Sequence, residues 1–225
     1  MILLRPNSDR AKNARNFLLL SVGLSSLYLV QSIHEFVEFS TYSETQSAYM
    51  YILDKKDPLS FLHKITSIVG LITAVRFIQW FRRAYFNLHL LRSDLRFSES
   101  TAAWSWFVPV FSLYAPFIIM RELVSKSKEQ IQSNGAEPSE NIQMDYISAW
   151  WFTFWGTNFA AIFGSIYMLY NGGYPALRAS LLIVIFGQIM NVTSGLVLAQ
   201  IISKYAKIEL QLAEGRTEID LIGVE

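Results

Sequence analysis

The sequence predicts an all-α integral membrane protein. It predicts four transmembrane helices in two hairpins, N-in and C-in, with a Pro-containing re-entrant or interfacial segment between spans two and three. Three observations lead there. The 225 residues are 52% hydrophobic, more than a soluble domain carries, yet 16% charged residues leave substantial extramembrane segments. Apolar runs of about 20 residues, enough to cross hydrocarbon as a helix, recur along the chain. Lysines and arginines gather at the run ends that would share one side of a membrane.

The runs fall at about 16–37, 59–81, 148–170 and 177–203. Arg5, Arg10, Lys12 and Arg15 precede the first, Arg82, Arg83, Arg92 and Arg96 follow the second, and Lys204 and Lys207 follow the fourth. The first hairpin loop is acidic, with Glu38, Glu44, Asp54 and Asp57 against Lys55 and Lys56. The last, Asn171 to Ala176, is uncharged. This pattern puts both termini in the cytoplasm. The basic start and apolar run lack a small-residue cleavage site, so the first run reads as an uncleaved span and not a signal peptide. Residues 1–225 thus read as a single membrane domain, with a cytoplasmic loop at 125–147 and a cytoplasmic tail at 206–225. A formal net charge of +1 gives no basis for bulk nucleic-acid binding. The absence of cysteine excludes disulfides and thiolate metal sites.

All six tryptophans (Trp80, Trp104, Trp106, Trp150, Trp151 and Trp155) lie between the end of the second run and the start of the third. Tryptophan favours the bilayer interface, where its ring is in apolar surroundings and its N–H stays near water. The sequence therefore predicts an aromatic collar on the cytoplasmic face. Ser100–Met120 is uncharged and nearly long enough to cross. Pro109 and Pro116 argue against a continuous helix, and a fifth crossing would carry Lys204 and Lys207 outside. The expected form is a re-entrant hairpin, or two short helices in the inner interface, against the alternative of a kinked fifth span. A helix is then expected to about Lys128, a mobile polar loop over 129–141, and a final helix that stops at Gly215.

The segment WFVPVFSLYAPFIIMREL at 106–123 resembles the central motif of DUF4328, a bacterial membrane family of unknown function. Trp80-Phe81-Arg82-Arg83-Ala84-Tyr85-Phe86-Asn87 is similar to the family's aromatic–Arg–Ala–Tyr–x–Asn element, and Trp150-Trp151 to the double tryptophan opening its next span. The likeness covers about 80–155. One departure is Ala115, where such sequences often carry a basic residue. The resemblance implies a bacterial inner-membrane location and supplies no activity or catalytic residues.

Among chemistry-bearing residues, His34 and Glu38 share a helix face, and His63 stands near the matching end of the second span. Three such ligands plus water would suit Zn²⁺. The plainer reading is a polar helix end, with Lys64 pairing Glu35 or Glu38, and no cofactor is expected. Arg76, in the inner half of span two, reads as a snorkelling cation, with a substrate site as the alternative. Gly156, Ala160 and Gly164 line one helix face, and Gly187, Asn191 and Gly195 another. These predict close helix packing within the chain, or else a homo-oligomer or partner interface. Asn158, Gln188, Asn191, Thr193 and Ser194 could line a polar path, but no mid-membrane acid accompanies them, which argues against a coupled transporter. His89 reads as solvent-facing.

The leading expectation is a non-enzymatic accessory or scaffold subunit. It would bind anionic lipid headgroups or a partner membrane protein through Arg82, Arg83, Trp80, Trp104, Trp106, Trp150 and Trp151. The alternatives are an oligomeric channel or facilitator, and a metal-dependent membrane enzyme at the outer-face His/Glu site.

Overall fold

The computed structural model describes residues 4–41 and 60–222; side chains at 60, 61, 63 and 216–222 are outside the description. Every regular element among the described residues is helical. In chain order they are α1 (Ser8–Phe39), α2 (Ser60–Leu91), α3 (Thr101–Trp104), α4 (Pro109–Ser112), α5 (Ala115–Ser133), α6 (Met144–Tyr170) and α7 (Gly173–Ile222).

Among the described residues, three helices are long and apolar enough to cross a membrane: Ser8–Phe39, Lys64–Leu91 and Gly173–Gly215. Four were expected, and the helix at the third expected place does not meet that measure. The expected span at 148–170 does form α6, and its 27 residues would reach about 40 Å. Its apolar surface, however, is aromatic and interleaved with polar residues. Trp, Tyr, Thr153, Thr157 and Asn158 stand where an aliphatic span would carry Leu, Ile or Val.

The prolines of 100–120 start helices and do not kink a span. Pro109 opens α4 and Pro116 lies in the first turn of α5. There the missing N–H costs nothing, because the first amides of a helix have no intrahelical acceptor. The segment forms short helices, α3 and α4, followed by the first turns of α5. α5 runs on to Ser133, past the expected end at Lys128. It closes where Gly135 adopts a φ of 79°: Ala136 N donates to Ile131 O and Gly135 N to Gln132 O. That paired turn satisfies the last carbonyls, and glycine takes the left-handed conformation without a Cβ clash. α7 does not stop at Gly215, since one helical glycine costs only about 1 kcal/mol.

The chain gathers into two compact units. The first comprises Met1–Leu18, Ile72–Ser148 and Val197–Glu225; the second comprises Leu19–Leu71 and Ala149–Leu196. The first has an ordinary core. Phe77, Trp80, Phe81, Ala84, Tyr85 and Leu88 recur at helical spacing on α2 and are buried. Ile119, Met120, Leu123 and Val124 of α5 and Ile201, Ile202, Tyr205 and Ile208 of α7 are buried in the same unit, with the Trp80 and Tyr205 rings edge-on at 6.0 Å. Each such side chain contributes roughly 1.5–3 kcal/mol on burial.

The second unit is inverted. Its buried residues are mostly small or hydroxylated: Ser25, Ser32, Thr153, Ala160, Ala176 and Ser194, with Phe39 and Trp150 the large exceptions. Its exposed residues are large and apolar, among them Leu27, Val30, Leu71, Phe152, Phe163 and Leu169. Water would not tolerate such a surface. Helices packing in lipid do select small and hydroxylated residues for their contacts. The buried hydroxyls are satisfied locally: Ser32 Oγ donates to Tyr28 O at 2.9 Å and Thr153 Oγ1 to Ala149 O at 2.8 Å.

Candidate anion-binding face

The best-defined polar site lies in the first unit, where the segment before α1, the second half of α2 and the far part of α7 contribute side chains. Asn87 takes part in both halves of a backbone clasp on Arg5. Arg5 N donates to Asn87 Oδ1 at 3.0 Å, and Asn87 Nδ2 donates to Arg5 O at 2.9 Å. The same Nδ2 donates to Glu209 Oε1 at 2.7 Å. Asn7 Nδ2 reaches both oxygens of Glu209, at 3.2 and 2.9 Å. Asn7, Asn87 and Glu209 are all buried. A buried carboxyl is costly unless it is hydrogen-bonded, and two amides meet that need here.

This knot fixes the chain entering α1 and so places Arg5. The Arg5 guanidinium carbon lies 4.1 Å from the Phe86 ring centroid, and that of Arg83 lies 5.8 Å from the same centroid. Arg10 Nη1 reaches the Gln79 carbonyl at 3.4 Å. Gln79, Arg82, Arg83 and Phe86 recur at three- and four-residue steps on one side of α2. Arg5, Arg10 and Arg82 each repel Arg83, and Glu209 is the carboxylate that attracts it. None of the four arginines forms an ion pair among the described residues. Arg5, Arg10 and Arg82 are exposed and Arg83 is half-buried. Four cations held together without an ion pair among the described residues, offset in part by Glu209, make an electropositive face.

Several other cations of this unit are committed internally. Arg92 and Lys126 share Asp94 and Glu129, with Arg92 Nη2 to Asp94 Oδ2 at 2.7 Å and Lys126 Nζ to Glu129 Oε2 at 2.9 Å. Hydrogen bonds from Arg92 and Lys126 hold the Asp94 carboxyl well below the usual carboxylate range. Lys207, counted in the sequence as an orientation signal, pairs with Glu140 at 2.6 Å, and this hydrogen bond lowers the Glu140 pKa. Gln211 donates to Glu137 O and accepts from Ser139 N, both at 2.7 Å. Lys128 Nζ reaches Ile142 O at 2.7 Å. The polar stretch expected to be a mobile loop is therefore tied down at several points.

The expected collar divides. Trp80 is fully buried and Trp150 is 1% exposed, so neither belongs to a surface of this chain. Trp106 is half-buried, with its ring edge-on to Phe77 at 5.4 Å. Trp104 is exposed, beside Phe107, Val110 and Leu113 on the α3–α4 segment. Arg82 and Arg83 stand on the basic face described above. In the second unit, Trp151 stacks with Phe154 at 5.5 Å, and Trp155 lies tilted against Phe159 at 5.3 Å.

The small residues meet as a packing seam between α6 and α7, within the second unit. A Cβ added at Gly187 would lie 3.3 Å from Ala160 Cβ. One at Gly164 would lie 3.1 Å from Ile183 Cγ2, and one at Gly156 3.3 Å from Met190 Cγ. Thr157 Oγ1 reaches Gly187 O at 3.4 Å. Gly195 is buried and Asn191 half-buried. Beside this seam is an open cleft of about 500 Å³ whose lining includes Tyr28, Thr157, Gly164, Ile183 and Gln188.

At the expected metal site, His34 and Glu38 are exposed on α1. The side chain of His63 lies outside the described residues. Glu35 accepts from Gln31 Nε2 at 2.9 Å. Among the described residues no three His, Cys, Asp or Glu side chains gather as metal ligands. Arg76 is exposed and reaches Gln79 Oε1 at 3.4 Å. His89 is not free in solvent: its Nε2 lies 3.0 Å from Phe97 O, and its ring meets Tyr85 edge-on at 4.9 Å.

A family model for DUF4328, a domain of unknown function, matches residues 51–207, well over half of the chain. The chain belongs to the DUF4328 family. The stretch at 80–155 that carries the sequence resemblance lies inside this match. No curated protein and no solved structure matches. Of the basic face, Arg82, Arg83 and Asn87 fall within the DUF4328 match, whereas Arg5, Asn7, Arg10 and Glu209 lie beyond its ends. Sequence reasoning counted Arg5 and Arg10 for orientation only and passed over the two asparagines and Glu209. One signal for Glu209 was available: it stands four residues after Tyr205 on a helix face otherwise made of Ile201, Ile202, Ile208 and Leu212.

Proposed function

We propose that this DUF4328 protein is a non-enzymatic, multi-pass protein of the bacterial inner membrane. It acts as an accessory or scaffold subunit that engages anionic lipid headgroups through its basic face. The observation that carries this reading is the set of four arginines that form no ion pair among the described residues, on the same unit as the exposed apolar α3–α4 segment. Arginine beside exposed aromatic and aliphatic groups matches the chemistry of a headgroup layer.

The inverted second unit supports membrane insertion. Its large apolar side chains face outward on α6 as well as on α1 and α7. In this reading α6 crosses as the antiparallel partner of α7, joined to it by the short Asn171–Gly172 link, and both termini are cytoplasmic.

Native mass spectrometry after gentle extraction from the host membrane tests the reading. The wild type should retain anionic phospholipid, and the double variant Arg82→Glu, Arg83→Glu should lose most of it. A lipid-free protein bound to a partner membrane protein would replace the lipid reading with a protein-docking one. Equal lipid retention by wild type and variant would remove the basic face from the account.

A further inference from the structure

We propose that the face formed by Arg5, Arg10, Arg82 and Arg83 is a built site for a lipid headgroup carrying two phosphates. The inference rests on the lipid reading above and specifies its ligand. Three observations carry it.

The first is the charge count. Each of Arg5, Arg10 and Arg82 repels Arg83, Glu209 alone is set against that repulsion, and none of the four forms an ion pair among the described residues. One phosphodiester brings a single negative charge. A headgroup with two linked phosphates brings two, and each phosphate can accept paired N–H donors from a guanidinium.

The second is placement. Arg5 and Arg83 lie over one ring, that of Phe86, and Arg10 is tethered to the Gln79 carbonyl. Arg5 is not on a loose terminus, because Asn87 clasps its backbone N–H and C=O. The donors are thus partly ordered before a ligand arrives, which lowers the entropic cost of binding.

The third is contrast. The cations at Arg92, Lys126 and Lys207 of the same unit are each paired with a carboxylate. Arg5, Arg10, Arg82 and Arg83 have no such pairing among the described residues, and they are drawn together from before and within α1 and from α2. Basic pockets beside membrane helices are known to take lipids with several phosphates.

The experiment uses the full-length protein in detergent micelles. It is exposed to diphosphatidylglycerol or to phosphatidylglycerol at matched total charge, and bound lipid is read by native mass spectrometry. The expected result is at least fivefold preferential retention of the two-phosphate lipid. That preference should fall to near unity in Arg5→Gln, Arg83→Gln, and should persist in Arg121→Gln, an exposed arginine outside the cluster. A second pair, Arg10→Gln with Arg82→Gln, gives an independent check if the first variant unfolds. Equal retention of the two lipids, with loss of both in the variants, would overturn the two-phosphate site and leave the anionic-lipid function standing. Retention of neither lipid by the wild type would overturn both. Inorganic pyrophosphate provides the soluble arm: if it binds while neither lipid does, the site serves a free anion and the lipid assignment is wrong.

Discussion

Asn87 donates a 2.7 Å hydrogen bond to Glu209 from a position 122 residues away in sequence, and both side chains are buried. The same asparagine holds the backbone of Arg5. One residue therefore couples the packing of α2 against α7 to the placement of an arginine on the basic face.

Replacing Asn87 by Ala leaves a buried carboxyl short of a donor and the Arg5 backbone unclasped. A loss of about 1–3 kcal/mol is expected for orphaning such groups. Thermal unfolding in detergent should show it. Glu209→Gln removes the buried charge while keeping the volume, so it should cost less than Glu209→Ala. If Asn87→Ala unfolds at the wild-type temperature, the knot is not a structural element.

The seam between α6 and α7 predicts a graded response to added methyl groups. Gly164→Ala would place a Cβ 3.1 Å from Ile183 Cγ2, and Gly187→Ala would meet Ala160 Cβ at 3.3 Å. Overpacking of this kind costs roughly 1–3 kcal/mol. Gly23→Ala, in mid-α1 with nothing within 4 Å, should instead be neutral or stabilise by about 0.5–1 kcal/mol through helix propensity. Thermal melts of the three variants side by side give the comparison, and equal effects at Gly23 and Gly164 would contradict the seam.

Much of the helical architecture was legible in the sequence, because apolar run length and proline position carry it. The division of the tryptophans was not. A tryptophan in a core and one at an interface both sit among apolar neighbours. Only the spacing Phe77, Trp80, Phe81, Ala84 and Leu88 hinted that Trp80 turns inward. The stretch 129–141 read as mobile because its side chains are polar, yet several of its anchors are main-chain groups, such as Glu137 O and Ser139 N. Main-chain bonding leaves no compositional trace. The basic face needed chain segments more than 60 residues apart, Arg10 with Gln79 for example, which no local pattern joins.

The tie between Glu140 and Lys207 predicts a pH response. The Lys207 hydrogen bond lowers the Glu140 pKa below its ordinary value, so the stabilisation is fully present above that ordinary value, near 4.3. It is lost as pH falls through the lowered folded-state pKa. Asp94, held low by Arg92 and Lys126, behaves the same way. Amide exchange over 137–142, corrected for intrinsic rates, should accelerate on acidification below about pH 4. Glu140→Gln should show faster exchange already at neutral pH. Unchanged exchange in that variant would mean that the backbone anchors alone hold the segment.

The central claim is that the apolar outside of the second unit faces acyl chains while the arginine face meets headgroups. Because the chain has no cysteine, single introduced thiols report on a silent background. The direct measurement is labelling of Leu27→Cys, Phe163→Cys, Arg82→Cys and Ser139→Cys in intact and inverted membrane vesicles with a charged, impermeant maleimide. The account predicts no labelling at 27 and 163 until detergent is added, and labelling at 82 and 139 from the cytoplasmic side alone. Ready labelling of 163 in sealed vesicles, or of 82 from the outer side, would contradict it.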